Sequence, residues 1–358
     1  MSPEILPDRT VTFRLIAPEA VSVVISGDFL PLEGAVMTKD ENGVWTYTTP
    51  KALQPELYMY SFIVDGVRMN DPANVFMIRD VATVTNIFLV DSIGSRANLY
   101  AVNDVPHGMV SRVWYDSPGL GMQRRMTVYT PPGYENGNES YPVLYLLHGA
   151  GGDEEAWINL GRASQILDNL IAQGKAQPMI VVMTNGNATQ SAAPGESALG
   201  FVQPTFDVSR MNKGEFESSF PEIVGFIDSH YRTKTDKAHR AIAGLSMGGF
   251  HSLHISKQYP DLFDYIGLFS AAIFPSADAT SEVYTDFEEK LNTQFEKNPK
   301  LYWIAIGESD FLYEPNVAFR RILDNNNYPY EYYENSDGHI WKNWRIYLAE
   351  FLPKLFKD

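Results

Sequence analysis

A serine stands between glycines in the stretch AIAGLSMGGF, residues 241–250. Residues 241–243 are typical of the end of a buried strand, whereas residues 247–254 are typical of the start of a helix. Gly244, Ser246 and Gly248 therefore fit the G-x-S-x-G turn, which holds a nucleophilic serine exposed between a strand and a helix. Flanking glycines remove the Cβ atoms that would clash in so tight a turn. A serine in an ordinary glycine-rich turn is the alternative, because so short a pattern also arises by chance.

The chain around this turn alternates between strand and helix patterns. Helical patterns cover 163–175 and 220–232, and strand patterns cover 124–131, 142–149, 179–186, 240–246, 265–272, 302–309 and 330–335. Such alternation predicts an α/β fold with a mainly parallel sheet that helices cover on both faces. Active sites of these sheets lie at the carboxyl ends of the strands, and Ser246 follows one of those ends.

Residues 11–90 have a different texture, with short runs of β-branched and aromatic residues bounded by Pro, Gly, Asp and Asn. This predicts a small all-β, immunoglobulin-like sandwich over residues 1–92, then a linker over 93–112 and the α/β domain over 113–358. Aromatic side chains within the sandwich allow two interpretations. They either stack on a glycan or fill the core of the sandwich itself; the residues concerned are Trp45, Tyr58 and Tyr60.

A serine nucleophile needs a base and an acid, which follow it in the chain order Ser, Asp or Glu, His in this type of sheet. Of the seven histidines, only His339 lies far enough beyond Ser246 to leave room for an acid between them. Asp310 is the favoured acid because it lies in the loop after a predicted strand, with Glu308 and Asp337 as less favoured neighbours. The alternative role for Asp310 is to cap the helix that begins after it.

The transition state also requires hydrogen-bond donors for the carbonyl oxygen as it becomes anionic. The segment HGAGG, residues 148–152, follows a predicted strand and matches the glycine-rich turn that supplies one backbone N–H. We expect the oxyanion donors to be the backbone amides of Ala150 and Met247. Two motifs in the right order, with an Asp and a His in place, favour a serine hydrolase.

Charge and cysteine content exclude several other classes. The chain of 358 residues has a formal net charge of −16, which argues against nucleic acid and anionic membrane surfaces as partners. It contains no cysteine, so disulfides, thiolate catalysis and cysteine-ligated metals are excluded. No stretch reaches the roughly 18 apolar residues that a membrane-spanning helix needs. The reaction needs no metal or organic cofactor, because the chain supplies nucleophile, base and oxyanion donors.

Several of these segments together resemble the esterase D-like branch of the α/β hydrolases. They are YPVLYLLHGAGGDEEAW, FIDSHYR, RAIAGLSMGG, GESDFL and GHIWKNWRIYLAEFLP, and the resemblance covers about residues 107–358. It implies that Ser246, Asp310 and His339 are the nucleophile, acid and base. The first domain resembles the sandwich modules that precede glycogen-branching enzymes and many bacterial feruloyl esterases of carbohydrate esterase family 1.

The resemblance implies a feruloyl esterase that releases hydroxycinnamates, ferulate or p-coumarate, from plant arabinoxylan. Alternatives are an acetyl xylan esterase, an enterochelin-type esterase and, as a non-enzyme, a glycan-binding protein with a hydrolase fold. Such enzymes act outside the cytoplasm, so we expect an extracellular or periplasmic location with a signal peptide already removed; a cytoplasmic location is the alternative. An aryl ester needs an apolar slot, and aromatic residues in loops after strands are the candidates: Trp157, Phe201, Phe274, Phe311 and Trp341. The turn-rich stretch 186–206 is expected to form a wall of the cleft.

Overall fold

A computed structural model describes residues 2–198, 200–206, 208 and 210–357. Some predicted ranges extend outside the described residues. The first predicted domain begins at Met1, the second ends at Asp358, and the predicted cleft wall includes Leu199. The chain divides into two compact units between Asn103 and Asp104. Within the described part of the chain, no helix is both long and apolar enough to cross a membrane.

The first unit is built from short antiparallel strands. They are β1 (Glu4–Ile5), β2 (Val11–Ile16), β3 (Val23–Gly27), β4 (Ala35–Val36), β5 (Thr38–Lys39), β6 (Val44–Thr48), β7 (Glu56–Val64), β8 (Val67–Met69), β9 (Met77–Asp80) and β10 (Thr83–Val90). One sheet has the order β1-β2-β6-β5, and the other has the order β4-β3-β7-β10-β9 with β8 paired to β7. Phe13 of the first sheet packs its ring against Tyr60 and Phe88 of the second, with centroids 4.8 and 5.4 Å apart. Two sheets packed over a shared apolar core confirm the predicted β-sandwich.

The three aromatic residues of the sandwich that could have bound a glycan pack into its core instead. Trp45 is buried, and its indole N–H donates to the carbonyl of Ala17 at 2.9 Å. Tyr60 is also buried, and its hydroxyl donates to Asp71 Oδ2 at 2.7 Å. The half-buried Tyr58 stacks its ring on Phe88. Their packing accounts for these rings without a ligand.

The second unit holds an eight-stranded sheet. Its strands are β11 (Met109–Ser117), β12 (Met122–Thr130), β13 (Val143–Leu147), β14 (Ile180–Thr184), β15 (Arg240–Leu245), β16 (Tyr265–Phe269), β17 (Leu301–Gly307) and β18 (Glu331–Asn335). The strand order is β11-β12-β14-β13-β15-β16-β17-β18. β11 and β12 form an antiparallel hairpin, and β12 also runs antiparallel to β14. The six strands from β13 to β18 all run parallel to one another. This confirms the predicted α/β fold.

Helices cover both faces of this sheet. They are α1 (Ala156–Asn159), α2 (Ala163–Ala172), α3 (Glu215–His230), α4 (Met247–Gln258), α5 (Phe287–Glu296), α6 (Tyr313–Asn325) and α7 (Trp341–Phe351). On one face, the ring of Tyr145 in β13 packs on Phe220 of α3, with centroids 5.4 Å apart. On the other face, Phe269 of β16 packs on Phe351 of α7 at 5.5 Å. Because both faces are covered, the central strands are almost entirely apolar and buried.

The predicted linker over residues 93–112 differs from the structure. Its first part forms a 3₁₀ turn, Arg96–Tyr100, in which Ala97 and Tyr100 are buried in the first unit. Its last part belongs to β11, which begins at Met109. The sequence pattern missed β11 because its apolar residues do not alternate with polar ones: Met109 and Val110 are adjacent, and Val113 to Tyr115 form a second run.

Candidate active site

Ser246 occupies a sharp turn between β15 and α4, with φ of 53° and ψ of −114°. A positive φ is uncommon for a residue other than glycine and persists only where surrounding contacts impose it. Here the Ser246 amide donates to the carbonyl of Phe269 at 2.9 Å, and its carbonyl accepts from the Ala272 amide at 3.1 Å. Ser246 remains partly exposed although Leu245 and Met247 on either side are buried. The strained turn therefore presents the serine at the carboxyl end of β15.

The flanking glycines of this turn are required by space. A Cβ built on Gly248 would lie 2.4 Å from the carbonyl oxygen of Leu147 and 2.6 Å from that of His148. A Cβ built on Gly244 would lie 2.4 Å from the backbone of Gly248. Any larger residue would separate α4 from the loop after β13, so the pattern G-x-S-x-G reflects direct backbone contact.

The predicted acid and base lie together. His339, in the loop after β18, places Nδ1 2.9 Å from Oδ2 and 3.0 Å from Oδ1 of Asp310, in the loop after β17. Asp310 is 4% exposed, and its Oδ1 also accepts from the amide of Leu312 at 2.9 Å. Asp310 thus has the predicted contact with His339 and also bonds the backbone at the start of α6. A carboxylate that accepts from Nδ1–H leaves Nε2 of the imidazole as the nitrogen that can take a proton.

Hydrogen bonds tie the loop that carries Ser246 to those that follow β16 and β17. The amide of Ala272 donates to the Ser246 carbonyl, and Asn316 of α6 donates from Nδ2 to the carbonyl of Ala271 at 2.8 Å. The strands β15, β17 and β18 are parallel, so the loops carrying Ser246, Asp310 and His339 meet at one edge of the sheet. The structure therefore brings all three predicted residues to the same side of the molecule, in the predicted chain order.

The glycine-rich loop after β13 borders the serine. A Cβ built on Gly149 would lie 3.3 Å from Ser246 Cβ, so this backbone passes directly beside the nucleophile position. Ala150 follows in the same loop, and Met247 is the first residue of α4. Amides in the first turn of a helix have no carbonyl partner within the helix, which leaves the Met247 N–H available to a ligand. This placement is compatible with the predicted oxyanion donors.

His148 holds this loop in place. Its Nδ1 lies 2.7 Å from the carbonyl oxygen of Gly149, and its Nε2 lies 2.8 Å from the amide nitrogen of Gly186 at the end of β14. Since Nε2 accepts from that amide, Nδ1 carries the proton and donates. Burial lowers the pKa of His148 to about 4, so the ring stays neutral near pH 7. The loops after β13 and β14 are therefore joined through one neutral imidazole.

A buried ionic cluster, which sequence reasoning missed, supports the same loop. Arg125 of β12 donates from Nε to Glu154 Oε1 at 2.7 Å and also pairs with Glu155 and Glu196. Glu154 accepts in addition from the amide of Ala193 at 2.8 Å. Burial raises the pKa of Glu154 despite these partners. The only sequence signal was the pair of arginines at 124–125 and the acidic run at 153–155, which no local pattern connects.

The structure separates the predicted substrate contacts into buried and exposed rings. Trp157 is 1% exposed and donates its indole N–H to the carbonyl of Leu147, and Trp341 packs edge-on against it. These two tryptophans therefore fill the interior, contrary to the predicted role. Phe201, Phe274 and Phe311 are exposed.

The exposed ring of Phe311 contacts a candidate catalytic residue. Its side chain is 74% exposed, and its ring centroid lies 4.5 Å from that of His339. An exposed apolar ring beside the candidate base is suited to contact an aryl acyl group.

The predicted cleft wall, residues 186–206, contributes to a cavity next to Met247, which residues 186–190 and Thr205 help to line. Among the residues that the structure describes, no group of three or more His, Asp or Glu side chains is arranged to hold a metal ion.

Comparison with known proteins places these features in a family. The model of the Esterase family matches residues 117–355. An endo-1,4-beta-xylanase/feruloyl esterase from Xylanibacter ruminicola is 36% identical over 268 residues, which are 73% of this chain and 35% of that protein. An acetyl esterase from Caldicellulosiruptor saccharolyticus is 24% identical over 242 residues, 59% of this chain and 82% of that protein. The chain spans less than half the length of the first curated relatives it matches.

Solved structures show the same fold. A CE1 ferulic acid esterase from the fungus Anaeromyces mucronatus superposes with a TM-score of 0.59 at 25% identity, over 72% of this chain and 95% of that one. An enterobactin esterase from Shigella flexneri gives a TM-score of 0.68 at 15% identity, over 99% of this chain and 95% of that one, and shows similarity of fold alone.

Proposed function

The chain belongs to the Esterase family, and from this premise we propose that it is a serine esterase that releases hydroxycinnamates such as ferulate and p-coumarate from arabinoxylan. The observation that carries the proposal is the Asp310–His339 pair, at the same edge of the sheet as the strained Ser246 turn. A glycan-binding protein would have no use for a serine under backbone strain beside a carboxylate–imidazole pair. The family membership and this geometry together support catalysis.

In the proposed mechanism, His339 Nε2 takes the proton of the Ser246 hydroxyl as the oxygen attacks the ester carbonyl carbon. Asp310 accepts from Nδ1–H, holds the ring in that orientation and stabilises the imidazolium that forms. The amides of Ala150 and Met247 donate to the carbonyl oxygen as it becomes anionic.

The imidazolium then returns its proton to the leaving alcohol, and an acyl-enzyme remains on Ser246. A water molecule, deprotonated by His339, hydrolyses this ester and regenerates the serine.

The preference for an aryl acyl group is supported by the exposed Phe311 ring beside His339 and by the similarity to esterases named for feruloyl or ferulic acid. An acetyl group would leave that ring without a partner. A polymer such as arabinoxylan is reached outside the cytoplasm, so we propose an extracellular or periplasmic site of action.

The test is to compare three substrates with the purified chain: methyl ferulate, acetylated xylan and feruloylated arabinoxylan oligosaccharides. We expect ferulate release from the first and third, with little acetate release from the second. Acetate release without ferulate release would replace the proposal by an acetyl xylan esterase. Failure to hydrolyse any of the three would refute the proposed esterase.

A further inference from the structure

A cavity of about 100 Å³ lies beside the serine turn, where α4 begins. Its wall includes Met247 and His251, which lie one turn apart on α4, together with Gly186 at the end of β14 and Phe216 of α3. A single water molecule needs roughly 10–15 Å³ of such space, so the cavity has room for an organic group. That group would lie next to the proposed oxyanion donor Met247.

His251 brings a buried hydrogen-bonding atom to this cavity. The residue is 1% exposed, and its Nδ1 lies 2.7 Å from Oε1 of the equally buried Glu217. The hydroxyl of Tyr284 donates to the same oxygen at 3.1 Å. Nε2 of His251 has no hydrogen-bond partner among the described residues. Buried polar atoms are nearly always paired, so this atom calls for a partner from outside the chain.

The chemistry of His251 Nε2 defines the kind of partner. Because Glu217 accepts from Nδ1–H, Nε2 is an acceptor in the neutral ring and a donor in the charged ring. A hydroxyl group serves both states, since it donates and accepts. Further side chains around the cavity carry amides and hydroxyls, as expected for a ligand rich in hydroxyl groups; they include Asn187, Thr189 and Gln190.

The position of the cavity assigns it to one part of the ester. In the strand order β14-β13-β15-β16-β17, the cavity lies towards β14, whereas Phe311 follows β17 on the other side of β15. The two surroundings also differ in character: an exposed apolar ring on the β17 side and polar side chains on the β14 side. An ester attacked at Ser246 can therefore place its aryl group near Phe311 and its alcohol near His251.

We propose that the cavity bounded by Gly186, Phe216, Met247 and His251 binds the sugar part of the ester, with His251 Nε2 as the hydrogen-bond partner of a sugar hydroxyl. The proposal rests on the proposed function, in which the leaving alcohol is a pentose of arabinoxylan. Glu217 and Tyr284 are positioning residues, because they hold the imidazole and do not reach the ligand.

The experiment compares kcat/KM for feruloyl-arabinose and for methyl ferulate, which share the acyl group but differ in the alcohol. The variants are His251→Phe and Gly186→Ala. A Cβ on Gly186 would lie 3.5 Å from both His251 Nε2 and Met247 Cε, an ordinary contact that fills the space without disturbing the fold. Gly225→Ala in α3, where a Cβ meets nothing within 4 Å, is the matched control.

We expect both variants to lower kcat/KM for feruloyl-arabinose roughly tenfold, the loss of about one hydrogen bond, and to change that for methyl ferulate less than about twofold. Gly225→Ala should change neither. Equal losses on both substrates, or no loss on feruloyl-arabinose, would overturn the sugar subsite while leaving the esterase intact. If the wild type hydrolyses neither substrate, the proposed function fails and the subsite fails with it. If His251→Phe does not fold, the kcat/KM values of Gly186→Ala for the two substrates decide between these outcomes.

Discussion

Nδ1 of His339 lies 2.9 Å from Oδ2 of Asp310, although the two residues are 29 positions apart and follow different strands. The contact exists because β17 and β18 are parallel neighbours whose following loops meet at one edge of the sheet. It fixes which nitrogen of the imidazole carries a proton and which can take one.

Replacing Asp310 by Asn should therefore lower kcat for methyl ferulate by about 10³–10⁴-fold, because an amide can favour the wrong tautomer of His339. KM should change little. Asp337→Asn is the matched control, since Asp337 is close to His339 in sequence but pairs with Lys342 at 2.8 Å. A larger loss of kcat in Asp337→Asn than in Asp310→Asn would show that the acid was assigned incorrectly.

Gly248→Ala should destabilise the chain and abolish ester hydrolysis. Its Cβ would lie 2.4 Å from the Leu147 carbonyl oxygen, and overpacking of this kind costs about 1–3 kcal/mol or more. Gly225→Ala should instead raise the free energy of unfolding by up to about 1 kcal/mol, because alanine is the better helix former. Urea denaturation measures the free energy of unfolding of both variants. Equal values would contradict the close contact between position 248 and the Leu147 carbonyl.

Phe311→Ala should lower kcat/KM for methyl ferulate by roughly tenfold while leaving the melting temperature unchanged, because the ring is 74% exposed and lies beside His339. Hydrolysis of an aryl acetate, which has no aryl acyl group, should fall much less. Phe76→Ala removes a similarly exposed ring from the first unit, 68% exposed, and should affect neither substrate. An unchanged rate with methyl ferulate would exclude Phe311 from the acyl site.

His148 should make the folded state less stable in acid. Burial lowers its pKa from 6.5 to about 4, so between these values the unfolded chain binds a proton that the folded chain does not. The free energy of unfolding should therefore fall as pH decreases through this window, by at most about 1.4 kcal/mol per pH unit from this residue.

The measurement is urea denaturation at pH 7, 6 and 5 for the wild type and His148→Gln. The variant should be less stable at pH 7 but should lose stability less steeply towards pH 5. Burial also lowers the pKa of His254, but that contribution is common to both proteins and cancels in the comparison. Parallel pH profiles would mean that His148 is not held neutral by the fold.

The α/β fold and the candidate residues Ser246, Asp310 and His339 could be predicted from the sequence, because each follows from a local pattern or from chain order. Apolar runs marked the central strands, and the glycines around Ser246 marked the turn that their missing side chains permit. Chain order then restricted the base to His339, since the other six histidines precede Ser246 or lie on the helix that follows it. The exposed edge strand β11 has apolar residues without the regular alternation that marks a strand, and it was missed.

Pairings between distant buried polar residues left no such signal. Glu217 of α3 and His251 of α4 lie 34 positions apart, and no local sequence pattern connects them. The ion pair of Arg125 and Glu154 joins a strand to a loop 29 residues away. Likewise, a position after a strand does not reveal whether an aromatic ring faces solvent, as with Phe311, or the interior, as with Trp157.

The proposed reaction depends on Ser246 as the nucleophile, so the decisive measurement is ferulate release from methyl ferulate by the wild type and by Ser246→Ala. We predict that the variant keeps its melting temperature and loses at least about 10⁴-fold in kcat. A folded Ser246→Ala protein that releases ferulate at the wild-type rate would show that Ser246 is not the nucleophile.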